Sequence, residues 1–310
     1  MSQHEKEFHV KQAYYASPFV PPALLAAHGF EPVDASSLAL PSENQRLVGH
    51  LQGVCPFAAF VHDVARRMAK KEDVIVFAGT CDQMRRIADF LVDGTDAAIF
   101  VLNIPAACET SGVEDYYADE LKRLGRFLVA HGGHLPTMDV FRNANKHDRK
   151  CLKASREGRG GRKAKRIAIV GGPASHRLLA EMGETIRRHG GEIALDATEN
   201  GMRCAPVFPK DDVGSVDDAY AFLAKSYFKI PDVFRRPDTL LHEWLRRELR
   251  ATKAQGLILV RCLWCDLWRL AGKRIIGDAG ISCVEIELDD FTQGLSSRST
   301  LRIQSLLEAL

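Results

Sequence analysis

The chain has 310 residues, of which 46% are hydrophobic and 26% charged. This balance is typical of globular proteins and argues against a collagen-like or wholly disordered chain. The net charge of +2 gives no global field that would point to nucleic acid or a membrane surface. No apolar run reaches the about 20 residues that span a bilayer, and the N-terminus lacks the apolar core of a signal peptide. The sequence therefore predicts a cytoplasmic protein.

The first half of the chain alternates short apolar runs with longer amphipathic stretches. The runs at 73–79 and 97–104 are rich in β-branched residues and predict two strands. The stretches at 57–68, 82–91 and 113–130 carry apolar residues at helical spacing and predict three helices. Strands that are apolar throughout are typical of a parallel sheet covered on both faces.

The same alternation returns in the second half. Residues 166–170, 192–195, 256–260 and 283–288 predict strands, and residues 175–188 predict a helix. Two such sets predict an α/β fold with two Rossmann-like or flavodoxin-like parallel-sheet domains.

A basic segment separates the two sets. Residues 142–166 hold eleven Lys and Arg against two acids, and a Gly/Arg-rich stretch at about 156–165 has the composition of a linker. We therefore predict an N-terminal domain over 1–157 and a C-terminal domain over 158–310. The segment is interpreted either as a solvated helix end with a hinge or as a docking site for CoA phosphates or an acidic partner. Nucleic acid is disfavoured because aromatic residues are not interleaved with the charges.

Three of the eight cysteines share one type of position. Cys81 and Cys265 each follow a predicted strand and precede an amphipathic stretch, and Cys55 precedes Pro56 at the start of a predicted helix. Backbone N–H groups at a helix N-terminus lower the pKa of a thiol and favour the thiolate, which is the form that binds metal. Ligands also bind at the carboxyl ends of parallel strands. This placement allows three thiolates to converge, which suits a [4Fe–4S] cluster with one iron open to a non-protein ligand.

Other interpretations of the cysteines remain. Cys151, Cys204 and Cys283 are interpreted as small buried hydrophobic residues, because cysteine is among the most buried residue types. Cys262 and Cys265 form a C-x-x-C pair, but structural zinc needs a second pair at suitable spacing, and the sequence holds none.

Several segments occur in the order and spacing of a known family. They are 16–33, Cys55, 81–86, 103–105, 116–121, 169–173, Cys265-Asp266 and 301–308. With these segments the chain resembles the 2-hydroxyacyl-CoA dehydratase / benzoyl-CoA reductase family, and in particular subunits like the 2-hydroxyglutaryl-CoA dehydratase D-component.

The resemblance implies a fold, a cofactor and partners. It implies two α/β domains with a [4Fe–4S] cluster in the crevice between them, held by Cys55, Cys81 and Cys265. It implies an anaerobic lyase in which a separate ATP-hydrolysing iron–sulfur activator injects one electron. That electron makes a ketyl radical from an acyl-CoA thioester, so that the α-hydroxyl leaves as water. A related second subunit, giving a heterodimer, or a second copy of the chain, giving a homodimer, is expected as partner.

Two alternatives to the dehydratase stay open. One is a reductase, either benzoyl-CoA reductase-like or with a double-cubane [8Fe–7S] cluster that would recruit Cys108 and Cys262. The other is a non-catalytic subunit that relays electrons. The chain also departs from the family, because it is shorter around 142–166 and carries Asp232 where many relatives have a cysteine. The sequence identifies no acid/base residue, acyl group or specific partner.

Overall fold

The computed structural model describes residues 10–40, 53–143, 164–206 and 213–310. The predicted boundary between residues 157 and 158 lies outside this part of the chain, as do Cys151 and all but the two ends of the basic segment. The division into domains 1–157 and 158–310 therefore stays a prediction.

The first half begins with two short strands and continues as an alternation of strands and helices. Pro56 is the first helical residue of its helix, where the missing N–H costs nothing. The described elements are Gln12–Tyr15 (β1), Pro22–Ala27 (α1), Glu31–Asp34 (β2), Pro56–Met68 (α2), Val74–Ala78 (β3), Asp82–Leu91 (α3), Ala98–Leu102 (β4), Val113–Ala130 (α4) and 138–143 (α5).

The second half repeats the alternation with longer strands. Ser175 caps its first helix by accepting a hydrogen bond from the N–H of Leu178. The described elements are Lys165–Gly171 (β5), His176–Arg188 (α6), Gly191–Ala197 (β6), Val216–Phe228 (α7), Thr239–Ala251 (α8), Gly256–Cys262 (β7), Asp266–Asp278 (α9), Ser282–Leu288 (β8) and Ser297–Glu308 (α10). None of the described helices is long and apolar enough to cross a membrane.

Each half forms a four-stranded parallel sheet. The strand order is β2-β1-β3-β4 in the first sheet and β6-β5-β7-β8 in the second, so the two sheets have the same topology. This is the order of the first four strands in flavodoxin-like sheets, in which ligands bind where the strand order reverses. The predicted α/β fold with two parallel sheets is confirmed.

The sequence analysis missed β1 and β2. The strand β1 has the sequence Gln-Ala-Tyr-Tyr, which contains no β-branched residue, yet it pairs with both β2 and β3. Pairing on two sides makes it central, so the sheet context adds to the strand propensity of its two tyrosines.

One helix of the second half packs on the first sheet. The helix α7 lies against α4, and its residues belong to the same core cluster as those of β3 and β4. His28 bonds to the Tyr220 hydroxyl at 2.9 Å in the interior, and a Cβ at Gly125 would come within 2.3 Å of that hydroxyl. Gly125 therefore allows the close approach of the two helices.

Candidate functional site

The three cysteines selected from the sequence occupy equivalent positions at helix N-termini. Cys55 is the N-cap residue of α2, Cys81 that of α3 and Cys265 that of α9. Cys81 and Cys265 also lie three residues beyond the last residue of β3 and β7, respectively. The predicted local placement of all three thiols is confirmed.

The same cysteines line one cavity, together with a fourth. This cysteine cavity has a volume of about 80 Å³ and is bordered by Cys55, Cys81, Cys262 and Cys265. Two of the thiols come from the first half of the chain and two from the second. The cavity lies at the carboxyl ends of β3 and β7, the edge at which parallel sheets bind ligands.

Three further cysteines lie outside the cysteine cavity. The Cys108 sulfur lies 3.5 Å from the carbonyl oxygen of Arg236 and 3.4 Å from that of Pro237. Cys283 lies half-buried on β8, and Cys204 is buried beside a second cavity. Of the two additional ligands that a double cubane would need, only Cys262 borders the cysteine cavity.

Burial decides the protonation of most of these thiols. It raises the pKa of Cys81 to about 11 and that of Cys265 to about 12, although backbone N–H groups at the two helix starts act in the opposite direction. The helix N-termini therefore act in the predicted direction, but burial outweighs them at Cys81 and Cys265. Transferring a thiolate from water into the interior costs more free energy than the few N–H groups return.

Cys55 is the exception. A hydrogen bond from the Cys262 thiol lowers the pKa of Cys55 to about 7 against the effect of burial, and the N–H groups of Ala58 and Phe57 contribute. The same contact and burial raise the pKa of Cys262 well above its usual value. Cys55 is thus the thiol of the group that ionises first, and Cys262 is its donor.

A buried arginine binds one of the two acidic residues that line the cysteine cavity. Asp232 lines the cysteine cavity. It accepts a 2.6 Å hydrogen bond from Arg203, which is fully buried and also donates to the carbonyl oxygens of Ala197, Pro231 and Gly171. Asp232 is therefore already paired with Arg203 and is not a free negative charge at the cavity.

Arg203 also reaches the helix that begins at Cys265. Its guanidinium carbon lies 5.0 Å from the centre of the Trp268 ring in the first turn of α9. The sequence analysis missed Arg203, because a single arginine far from any motif carries no local signal of being buried.

Glu199, which follows β6, is the second acid at the cavity. Burial raises the pKa of Glu199 to about 8, with the negative charge of Asp232 acting in the same direction and Arg203 and the Trp268 indole opposing it. The carboxyl group therefore holds its proton at neutral pH. Sequence reasoning identified no acid/base residue, and Glu199 lacked any motif that would have singled it out.

A second, larger cavity adjoins the first. This outer cavity has a volume of about 220 Å³ and is walled by residues of both halves. Residues that border both cavities are Ala16, Ser17, Pro18, Phe57, Pro173 and Glu199. The two cavities are therefore adjacent spaces that share one wall.

The donor set of the cysteine cavity suits an iron–sulfur cluster chemically. Thiolates are the protein ligands of such clusters, and four thiols surround this space. Among the described residues, no three His, Cys, Asp or Glu side chains meet closely enough to hold a single metal ion. Binding of a cluster by Cys55, Cys81 and Cys265 stays a prediction.

Comparison with protein families identifies the first half. Residues 18–157 match the family model described as 2-hydroxyglutaryl-CoA dehydratase, D-component. The family resemblance is thereby confirmed for this region. The match ends before β5, so the second sheet and Cys265 lie outside it.

Two motifs of the dehydratase D-component region contact each other. The backbone N–H of Asn103, after β4, donates a 2.9 Å hydrogen bond to the Glu120 carboxylate in α4. Glu120 also pairs with Arg123 at 2.7 Å, and Arg123 donates to the carbonyl oxygen of Val101 on β4. These contacts give a structural reason for two of the segments that resemble the family.

No curated protein sequence matches the chain. One matching solved structure is titled "Mutant Structure of laminin-binding adhesin (Lmb) from Streptococcus agalactiae", with 9% identity over 96% of this chain and 97% of that chain. Its TM-score of 0.23 is too low to indicate a shared fold.

Proposed function

We propose that the chain is the iron–sulfur subunit of a 2-hydroxyacyl-CoA dehydratase-type lyase. The observation that carries the proposal is the group of thiols around one cavity in a chain whose first half belongs to the D-component family. The cavity lies where parallel sheets bind ligands, and the thiols come from both sheets.

In this proposal Cys55, Cys81 and Cys265 hold a [4Fe–4S] cluster and leave one iron open to substrate. When bound, the cluster supplies low-potential one-electron chemistry that no side chain can provide. The three N-caps fix the thiols on the rigid starts of helices, which supports a defined ligand geometry.

The remaining residues of the site bind, orient and exclude water. Phe19, Phe57 and Phe234 give the cysteine cavity an apolar wall, and Arg235 supports two of these rings at 4.9 and 4.8 Å from their centres. The protonated Glu199 carboxyl lies at the wall shared by the two cavities, where it can hold or donate a proton beside a bound substrate.

The proposal includes partners. A related second subunit or a second copy of the chain completes the enzyme, an ATP-hydrolysing iron–sulfur activator delivers the electron, and an acyl-CoA is the substrate. The basic segment at 142–166 supplies positive charge for CoA phosphates. A cytoplasmic location under anaerobic conditions fits this chemistry.

The test is a dehydration assay with a spectroscopic readout. Anaerobically purified protein, reduced by an activator and ATP, is given a 2-hydroxyacyl-CoA, and we expect loss of water to a 2-enoyl-CoA. We also expect the thioester to alter the EPR spectrum of the reduced protein. The Cys283→Ser variant, altered outside the cavity, is the control and should behave as wild type.

Electron relay is the second candidate, and the contact between Cys262 and Cys55 is the observation that favours it. A fourth thiolate would close the open iron and leave no position for substrate. If Cys262→Ala loses iron and no thioester changes the spectrum, the relay replaces the dehydratase.

A further inference from the structure

The position and the volume of the outer cavity restrict the kind of substrate group that can bind there. It shares one wall with the cysteine cavity, so a ligand group bound among the thiols lies directly beside it. Its volume of about 220 Å³ is below the range of sites for drug-sized ligands, about 300–1,000 Å³. A short acyl chain is the part of an acyl-CoA that fits such a space.

Much of the wall is apolar. The apolar side chains that border the outer cavity include Val20, Pro22, Phe57, Pro173, Ala205 and Pro206. The polar pair Ser36 and Asn200 is mutually engaged, since the Asn200 amide donates to the Ser36 hydroxyl at 2.9 Å. The N–H of Ala174 donates to the Asn200 carbonyl at 3.4 Å. These amide and hydroxyl groups already have partners within the protein.

Carboxyl groups line the outer cavity, and that of Glu199 holds its proton at neutral pH. Over the part of the chain that the structure describes, Asp34 and Glu199 line it, and no lysine, arginine or histidine does. The buried Arg203, whose positive charge opposes the rise in the pKa of Glu199, does not line the cavity. Its guanidinium already donates to Asp232 and to three backbone carbonyl oxygens. Burial raises the pKa of Asp34, and the exposed His176, which lies outside the lining, acts in the opposite direction.

We propose that the outer cavity receives the acyl chain of the substrate and selects a chain without a second carboxylate. This inference rests on the proposed function and adds the substrate class to it. A terminal carboxylate in this cavity would lose its water without gaining a cationic partner, and it would face Asp34. The favoured substrates are therefore 2-hydroxyacyl-CoA thioesters with an uncharged chain, in contrast to the dicarboxylic 2-hydroxyglutaryl group.

The test compares two thioesters that differ only in the terminal group. Isothermal titration of the full-length anaerobic protein uses 2-hydroxyglutaryl-CoA and its terminal amide, with free CoA as reference. We expect the amide to bind about 10-fold tighter or more, because like charges and unpaired buried charges are penalised at binding sites. Both thioesters share the CoA part, so its contribution cancels.

A variant localises the effect. Asp34→Asn removes the negative charge but keeps an oxygen that can accept the N–H of Ser36, as Asp34 does at 2.9 Å. We expect it to reduce the preference for the amide severalfold. Asp89→Asn, at an exposed acid on α3, should leave the preference unchanged.

The outcomes separate this inference from the proposed function. Equal or tighter binding of the dicarboxylic thioester, or binding of both thioesters no tighter than free CoA, would overturn the selection by the outer cavity. Iron and sulfide content, measured on the same preparation, tests the cluster independently. A preference for the amide in protein that binds no cluster would support the cavity assignment while contradicting the dehydratase.

Discussion

The two sheets use the same position for a cysteine. In each sheet the third strand in chain order ends three residues before a Cys-Asp pair that begins a helix: Ala78 precedes Cys81-Asp82, and Cys262 precedes Cys265-Asp266. The strands β3 and β7 occupy the same place in their sheets. A repeated topology has therefore placed two equivalent thiols at one cavity.

The remaining two thiols come from the points at which the halves differ. Cys262 stands where the first half has Ala78. Cys55 begins the helix before β3, whereas Asp238 is the N-cap of α8, the helix before β7. These two unmatched cysteines contact each other. The comparison teaches that the shared fold supplies a symmetric pair of thiols at the cavity, and that local differences supply the third thiol and its neighbour.

The largest predicted effect is on the symmetric pair. Cys81→Ser and Cys265→Ser should each abolish the visible absorption of the anaerobic protein and reduce its iron content to a similar degree, because the proposed cluster uses them as equivalent ligands. Absorption spectroscopy and iron analysis measure both. Loss in only one variant would show that the two positions are not equivalent in function.

The matched variant at the asymmetric position is Cys262→Ala, which gives the second half the residue of the first. We expect it to keep its iron, since the proposed cluster does not use Cys262 as a ligand. Iron loss as severe as in Cys265→Ser would mean that the fourth thiol closes the cluster.

The second predicted effect concerns Glu120 in α4, a helix of the first half. Glu120→Gln in α4 should lower the free energy of unfolding by about 1–2 kcal/mol, because it removes the charge from a buried carboxylate that accepts the Asn103 N–H. Interaction with Arg123 and Asn103 lowers the pKa of Glu120 against burial. The stabilisation is therefore present above the ordinary glutamic acid pKa of 4.5 and is lost as the pH falls through the lower pKa of the folded protein.

Urea unfolding of wild type and Glu120→Gln at neutral and acidic pH checks this expectation. The difference between the two proteins should shrink on acidification. A difference that stays constant or grows would show that the charge of Glu120 does not stabilise the fold.

A smaller effect is expected in the loops before the equivalent cysteines. Trp264 has a φ of 66° and its side chain is 55% exposed, whereas Thr80 has no such backbone conformation. Trp264→Gly should stabilise the protein slightly or leave it unchanged, since relief of the left-handed conformation, about 1–2 kcal/mol, offsets the entropic cost of glycine. Thr80→Gly should destabilise it by about 0.5–1 kcal/mol. Thermal unfolding measures both, and a large loss of stability in Trp264→Gly would indicate a packing role for the indole.

The smallest effect is expected for Arg302→Ala. The exposed Arg302 of α10 donates a 2.7 Å hydrogen bond to the Glu285 carbonyl oxygen on β8, as Arg123 donates to β4 in the first half. Without a buried acidic partner, its removal should cost no more than about 0.5 kcal/mol. Urea unfolding tests this. A loss of stability as large as in Glu120→Gln would contradict the expected difference between the two halves in how strongly these contacts stabilise the fold.

Local patterns predicted the elements that have strong periodicity. The helices 82–91 and 113–130 coincide with α3 and α4 as observed, because their apolar spacing and bounding residues are local signals. The N-cap positions of Cys55, Cys81 and Cys265 followed from the same reasoning.

What the sequence did not predict depends on distant contacts. The placement of α7 on the first sheet depends on its packing against α4. The burial of Arg203 depends on four acceptors from three segments of the chain. The contact between Cys262 and Cys55 joins a residue of the second half to one of the first. None of these has a pattern within a short window, so only the folded chain brings them together.

Iron and acid-labile sulfide analysis of the anaerobically purified protein tests the central claim most directly. The account predicts about four iron and four sulfide atoms per chain, as in a [4Fe–4S] cluster, and loss of both in Cys55→Ser, Cys81→Ser and Cys265→Ser but not in Cys283→Ser. Protein that contains neither iron nor sulfide after anaerobic preparation and reconstitution, or keeps both when these cysteines are replaced, would contradict it.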